Sequence, residues 1–198
     1  GNREYQVGDK LRDIDWRSWS RLGDPFVREY QEEYFCRVAL ILDTNLGNKI
    51  NNQKKDDFEA SLSLAAAISD YLSHQEYLVD IFAAGPQIYI MEAGRSLAYF
   101  DQILEVLACL EPCNENPFEI IEPVIAQRIA NLTTVIVILL DMDEARRQFL
   151  EDLSLKGVGL KVLVCNSNIT PSDIIVNRKS ADLQWLTASQ INEGIDSL

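Results

Sequence analysis

A single histidine, His74, is all that this 198-residue chain offers for proton transfer near neutral pH, and no Gly-x-Ser-x-Gly elbow accompanies it. A hydrolase needs a nucleophile beside a positioned base, and neither serine nor cysteine stands in a recognisable motif with His74. No phosphate-cradling P-loop or dinucleotide glycine pattern follows any apolar run, which removes the commonest nucleotide chemistries of α/β proteins. Positive charge is scarce: 18 Lys and Arg against 31 Asp and Glu give a formal charge of -13. Nucleic-acid binding, which requires a concentrated positive surface, is excluded on that ground. Four cysteines (Cys36, Cys109, Cys113, Cys165) lack the spacing of a secreted disulfide framework, and buried free thiols in a reducing compartment are expected. Zinc is not expected, because Cys109 and Cys113 have no second ligand pair. No run approaches about 18 apolar residues, so nothing here is expected to span a bilayer as a helix, and none of these residues reads as a signal peptide. Gly1 in place of a methionine reads as a cleavage scar, so upstream segments are expected to be missing.

What is present is a folded composition. Residues 1–37 carry 7 basic and 8 acidic side chains, whereas the remainder carries 11 and 23. The N-terminal stretch is therefore arginine-rich and charge-balanced, and the rest is acidic. Val38 to Leu42 is an unbroken apolar run ending at Asp43, the signature of a parallel strand covered on both faces. After a polar loop over Asn45 to Lys55, apolar residues recur at Phe58, Leu62, Ala65, Ile68 and Leu72, with Asp56 and Asp57 at the start of the predicted helix. Tyr77–Ala84 and Gln87–Met91, joined by Gly85-Pro86, predict an antiparallel hairpin at a sheet edge. Ser96 can cap a helix carrying Leu97, Leu104, Leu107 and Leu110; Asn116-Pro117-Phe118-Glu119 can open the next. Thr133–Leu140 ends at Asp141, a helix with Phe149, Leu150 and Leu153 stops near Gly157 and Gly159, and Leu160–Cys165 ends at Asn166. Asp182–Leu186 can add a last strand, with Thr187 to Gln190 as a capping box.

Strands alternating with helices through right-handed crossovers predict an α/β fold: a doubly wound, mostly parallel sheet with one antiparallel edge strand and helices on both faces. Ligands of such sheets sit at the carboxyl ends of strands, where strand order reverses. Asp43, Asp141 and Asn166 close three strands and are expected to share one rim.

The N-terminal segment carries a sharper pattern: Arg3, Glu4, Tyr5, Gly8, Asp9, Arg12, Ile14, Asp15, Trp16, Ser20, Arg21, Val27, Arg28, Glu29 and Tyr30, followed by the strand ending in Asp43. This resembles the domain-of-unknown-function 58 family, whose members place such a pattern immediately before a von Willebrand factor A-like fold. The resemblance implies two parts, an arginine-rich signature segment over 1–34 packed on a von Willebrand factor A-like domain over 35–198. It further implies a prokaryotic protein anchored by upstream transmembrane helices, with this domain on the cytoplasmic face of the membrane beside a MoxR-type AAA ATPase. A von Willebrand factor A domain holds a divalent cation through an Asp-x-Ser-x-Ser loop, a threonine and a further aspartate. Here Asp43, Asn45 and Asp141 are the corresponding residues, Gly47 offers no side chain, and Ser96 is the nearest hydroxyl for the second loop. Two carboxylates and an amide are expected to form a degenerate site that binds magnesium weakly if at all.

Each pattern has a plainer reading. Asp9, Asp13, Asp15 and Glu29 can neutralise the neighbouring arginines internally, with Trp16 and Trp19 packed against the sheet. Arg12 and Arg21 are then the arginines with an outward, binding role. In Asp141-Met142-Asp143, Asp143 suits a helix cap, which leaves Asp141 as the carboxylate with a metal role. The expected function is a non-catalytic interaction domain docking a protein partner through Arg12, Arg21, Asp43 and Asp141. The alternative is a magnesium-dependent enzyme built on the strand-end aspartates.

Overall fold

The computed structural model describes residues 2–28, 36–75, 77–84, 88–91, 98–168 and 182–194. The Gly85-Pro86 link, the Ser96 cap, Leu97, Glu29 and Tyr30 lie outside the described residues. The chain divides into two compact units, 1–34 and 35–198.

In the first unit, β1 (Asn2–Glu4) pairs antiparallel with β2 (Phe26–Arg28). Between them a 3-10 turn (Leu11–Asp13) leads into α1 (Trp16–Leu22). Asp15 begins that helix by accepting from the Arg17 and Ser18 amides, which leaves two fewer orphan donors at the N-terminus. Gly23 ends it at φ 85°, a left-handed conformation that glycine adopts without a Cβ clash. Asp9 takes a two-pronged ion pair from Arg3 at 2.7 and 2.8 Å, as the charge balance suggested. Arg12 lies 3.7 Å from Asp13. Trp16 stacks on Trp19 at 5.3 Å and is 61% exposed.

The second unit is built on a six-stranded sheet of order β5-β4-β3-β6-β7-β8. Its strands are β3 (Arg37–Leu42), β4 (Leu78–Ala84), β5 (Ile88–Met91), β6 (Thr134–Leu139), β7 (Gly159–Cys165) and β8 (Asp182–Leu186). All neighbours are parallel except β4 and β5, the expected antiparallel edge. The helices are α2 (Asn52–His74), α3 (Ala98–Cys109), α4 (Phe118–Arg128), α5 (Glu144–Leu155) and α6 (Ala188–Glu193).

The unbroken apolar strands are explained by two cores. Leu40 and Leu42 of β3 join Phe58, Leu64 and Ile68 of α2 and Ile103 and Leu107 of α3 on one face. Ala39 and Ile41 point the other way, to Ile121 and Ile125 of α4 and Phe149 and Leu153 of α5. Each fully buried Leu, Ile or Phe contributes about 1.5–3 kcal/mol, so the alternation fixes strand register on both sides at once. Phe118 and Phe149 stack at 4.5 Å across α4 and α5. Inside this apolar framework Asp80 of β4 is 1% exposed and receives the Arg37 guanidinium at 2.7 and 3.0 Å. The pair keeps a buried carboxylate compensated in the middle of the sheet.

Three expectations change. The loop before α2 ends at Asn51, whose side chain caps the helix through the Lys54 amide, so Asp57 lies in the second turn and is buried. Leu104 is 40% exposed, and Ile103 takes the core position on α3. All four thiols are free, but only Cys165 is buried; Cys36 and Cys109 are exposed.

Candidate functional site

β3 leads outward to β4 on one side, and the chain later returns to place β6 on the other side of β3. The strand order therefore reverses between β3 and β6, and Asp43 and Asp141 follow the ends of those two strands. Asp43 is reached directly from the ladder: its amide donates to the Ile138 carbonyl of β6 at 2.9 Å.

The Asp43 side chain accepts three hydrogen bonds. Oδ1 accepts from the Asn45 amide at 2.9 Å, and Oδ2 accepts from the Leu140 amide at 3.0 Å and from Arg146 Nε at 2.7 Å. Arg146, in the first turn of α5, is 4% exposed. Its remaining nitrogens donate to Asp143 Oδ2 at 2.6 Å and to the Asn45 carbonyl at 2.8 Å. One guanidinium thus joins the loop after β3 to the start of α5. Burial pushes the Asp43 carboxyl up from its ordinary value, and the Arg146 charge and the Leu140 and Asn45 amides oppose that. Burial also disfavours the Arg146 charge, but the carboxylates of Asp43, Asp143 and Asp141 outweigh it and hold the guanidinium above its ordinary value.

The loop is shaped by its own side chains. Asn45 Oδ1 accepts from the Gly47 amide at 2.7 Å, an Asx turn, and Gly47 adopts φ 68°. A serine there would be strained by its Cβ, so glycine answers a backbone requirement at this position. Cys113 runs alongside: its amide donates to Thr44 O at 2.8 Å and its carbonyl accepts from Leu46 N at 3.0 Å. Its thiol lies 3.3 Å from the buried Thr44 hydroxyl, which donates to the Ala84 carbonyl. Cys113, between α3 and α4, thus packs beside the Asp43 loop through Thr44 and Leu46.

On the far side, Asn166 donates to the Leu140 carbonyl at 2.8 Å and ties the end of β7 to the end of β6. Ser167 donates to the buried Asp57 carboxylate at 2.7 Å, which anchors α2 to the same rim. Asp141 is half-buried and accepts from the Met142 amide at 2.8 Å. Asp143 caps α5 through the Arg146 amide at 3.0 Å, as its position suggested. A solvent-open cavity of about 100 Å³ lies between these loops, lined by Asn45, Lys54, Asp57, Asp141, Asp143 and Arg146 among others. Lys54 donates to the Leu46 carbonyl at 2.6 Å.

The sequence-predicted residues are therefore divided. Asp43, Asn45 and Asp141 come together on one rim, with Asn166 beside them. Arg12 and Arg21 lie in the first unit, both exposed, with Arg21 in the last turn of α1. Arg146, Lys54, Asp57 and Cys113 were missed as site residues. For Arg146 a signal existed, a basic residue three positions after a capping aspartate, but nothing in the spacing tied it to Asp43.

A divalent cation does not fit the donors present. Asp43 spends both oxygens on N–H groups, the Asn45 amide oxygen is turned to its own loop, and Gly47 contributes no side chain. A buried guanidinium already touches the principal carboxylate. Two like unit charges about 4 Å apart repel by about 4 kcal/mol at an effective dielectric of about 20, and a dication doubles that. Among the described residues no group of three or more His, Cys, Asp or Glu is arranged to hold a metal ion.

The class defined by this fold and rim is a doubly wound, three-layer α/β domain with its polar loops at the topological switch point. The chain belongs to the family described as "Protein of unknown function DUF58", whose model matches residues 1–146. No characterised, curated protein sequence matches it. Among solved structures it is similar to proximal thread matrix protein 1 from the mussel byssus, in two crystal forms. These give TM-scores of 0.54 and 0.52 at 10% and 11% identity, each covering 80% of this chain. The chain spans less than half of those proteins, 43% and 44% of their length. A similarity at TM-score 0.47 and 11% identity, covering 85% of this chain and 61% of the other, is to a D319A mutant of the PilB minor pilin from Streptococcus sanguinis. At such identities the byssus protein supports the fold alone.

Proposed function

We propose that the chain is a non-catalytic protein-interaction domain of a membrane-anchored prokaryotic protein. It docks its partner at the strand-end rim, on the cytoplasmic face of the membrane. The observation that supports this is the state of Asp43: the carboxylate best placed for chemistry is internally neutralised by Arg146, while Asn45, Lys54, Asp141 and Asp143 surround a cavity open to solvent. A carboxylate ion-paired to a buried arginine is a weakened base and a poor metal ligand, whereas a mixed-charge rim suits recognition of a polar protein surface. Arg12 and Arg21, exposed in the first unit, form a second contact. The upstream helices and the MoxR-type AAA ATPase partner rest on the family resemblance.

Affinity capture of the full-length protein from its own membrane tests the proposal, comparing the natural sequence with a Lys54→Glu/Asp141→Lys variant. Recovery of a MoxR-type ATPase that falls at least tenfold in the variant, as an ~1.4 kcal/mol loss requires, is the expected result. Equal recovery would remove the rim from the interface, and absence of any such ATPase would remove the proposed partner. Metal-dependent turnover of phosphoesters or peptides, lost in Asp43→Ala, would replace the proposal with the magnesium-enzyme reading.

A further inference from the structure

We infer that Arg146 is the resident cation of the strand-end rim: its guanidinium occupies the electrostatic role of a divalent ion and keeps the rim assembled without metal. The geometry is specific. From one buried side chain, separate nitrogens reach the Asp43 carboxylate, the Asp143 carboxylate and the Asn45 backbone carbonyl, at 2.7, 2.6 and 2.8 Å. An ion bridging Asp43, Asp143 and the Asn45 carbonyl would compete with Arg146 for those oxygens. A guanidinium, with five donors in a fixed plane, supplies the charge and the directional bonds together. It also differs from a bound ion in one consequential way, because it is covalently part of α5 and cannot be removed by dilution or a chelator. The order of the β3–α2 loop is therefore coupled to the packing of α5, whose Phe149, Leu150 and Leu153 lie in the core. Any docking at this rim is independent of magnesium concentration. The inference stands whether or not the rim binds a partner.

Manganese serves as the probe, followed by the loss of its free-ion electron paramagnetic resonance signal on titration into the whole protein. The natural sequence is expected to leave the signal unchanged, and its melting temperature is expected to be the same in excess Mg²⁺ and in EDTA. Arg146→Ala uncovers the Asp43 and Asp143 carboxylates and removes the repelling charge. It is expected to bind Mn²⁺ at least about tenfold more tightly than the natural sequence and to be stabilised by it. Arg146→Lys, which keeps a charge and loses the fork, is expected to remain blind to Mn²⁺. Should Arg146→Ala fail to give a folded far-ultraviolet spectrum, Arg146→Gln, neutral but still a donor, takes its place. Two results overturn the inference: Mn²⁺ uptake by the natural sequence that Asp43→Asn abolishes, or a neutral Arg146 variant that is as blind to the ion as the natural protein. Because the readout is ion binding by the isolated protein, its failure is distinct from a failure to capture a partner.

Discussion

Replacing Asp43 by alanine removes the acceptor shared by three donors in one step. The Leu140 amide and Arg146 Nε both lose Oδ2, and the Asn45 amide loses Oδ1. Arg146 stays 4% exposed but retains only Asp143, a carboxylate whose own side chain is 52% exposed, and one backbone carbonyl. A buried charge stripped of its partner costs about 3–5 kcal/mol, more than the hydrogen bonds alone. For a domain of about 150–250 residues that corresponds to a melting temperature lower by about 6–20 °C. Urea denaturation followed by far-ultraviolet circular dichroism measures it, read at the transition midpoint with the slope checked for constancy. The double variant Asp43→Ala/Arg146→Met carries no unpaired charge, and it is expected to be more stable than the sum of the two single losses predicts. A loss below about 1 kcal/mol for Asp43→Ala, or strict additivity in the cycle, would refute the buried-pair reasoning.

Gly47→Ser restores the hydroxyl that a metal-binding loop would carry, yet at φ 68° it is expected to cost about 1–2 kcal/mol and to leave Mn²⁺ binding undetectable, as a melting curve and a titration will show. Burial pushes the Cys165 thiol up to about 12, so alkylation mass spectrometry of the native protein should modify Cys36 and Cys109 and leave Cys165 untouched until the chain unfolds. The same shift is upward in the folded state, so its contribution is fully present below the unfolded thiol value near 9 and is lost as pH rises toward 12; Cys165→Ala should flatten that part of the stability profile. Asp9 shifts the other way, held at about 2 by the Arg3 guanidinium and the Gln6 amide. Its contribution is present above the ordinary value of 3.8 and disappears as pH falls toward 2, which a carboxyl-carbon NMR titration should show in the natural protein and Arg3→Gln should move upward. Thr187→Ala breaks a capping box formed with Gln190 and should lower stability by about 1 kcal/mol in urea titration.

Much of the second unit was legible because burial on two faces writes itself as uninterrupted apolar runs. Val38–Leu42, Thr133–Leu140 and Leu160–Cys165 could each be placed within a residue of the strands observed. The hairpin at Tyr77–Met91 was legible because its two β-rich runs lie too close together for a parallel crossover. Helix starts were less secure. Asp56 and Asp57 suit a first turn by charge, but Asn51 competes as the cap and wins by its bond to the Lys54 amide, so Asp57 moves to a buried position. Leu104 was misplaced because Ile103 and Leu104 satisfy helical periodicity almost equally, and only the facing helix distinguishes them.

From sequence alone came the family signature over Arg3 to Tyr30, the α/β class and the convergence of Asp43 and Asp141 on one rim, since strand ends follow from strand order. What those aspartates do could not be read the same way. Asp43 and Arg146 are 103 positions apart, and nothing in residue type or spacing says that α5 turns its first-turn arginine onto the end of β3. Gly47 appeared as a missing ligand until its positive φ showed a backbone requirement. Local pattern fixes which residues reach the rim, because burial is periodic along the chain. Whether a carboxylate there is free or spent depends on a side chain brought in from another element, and only the packed fold decides that.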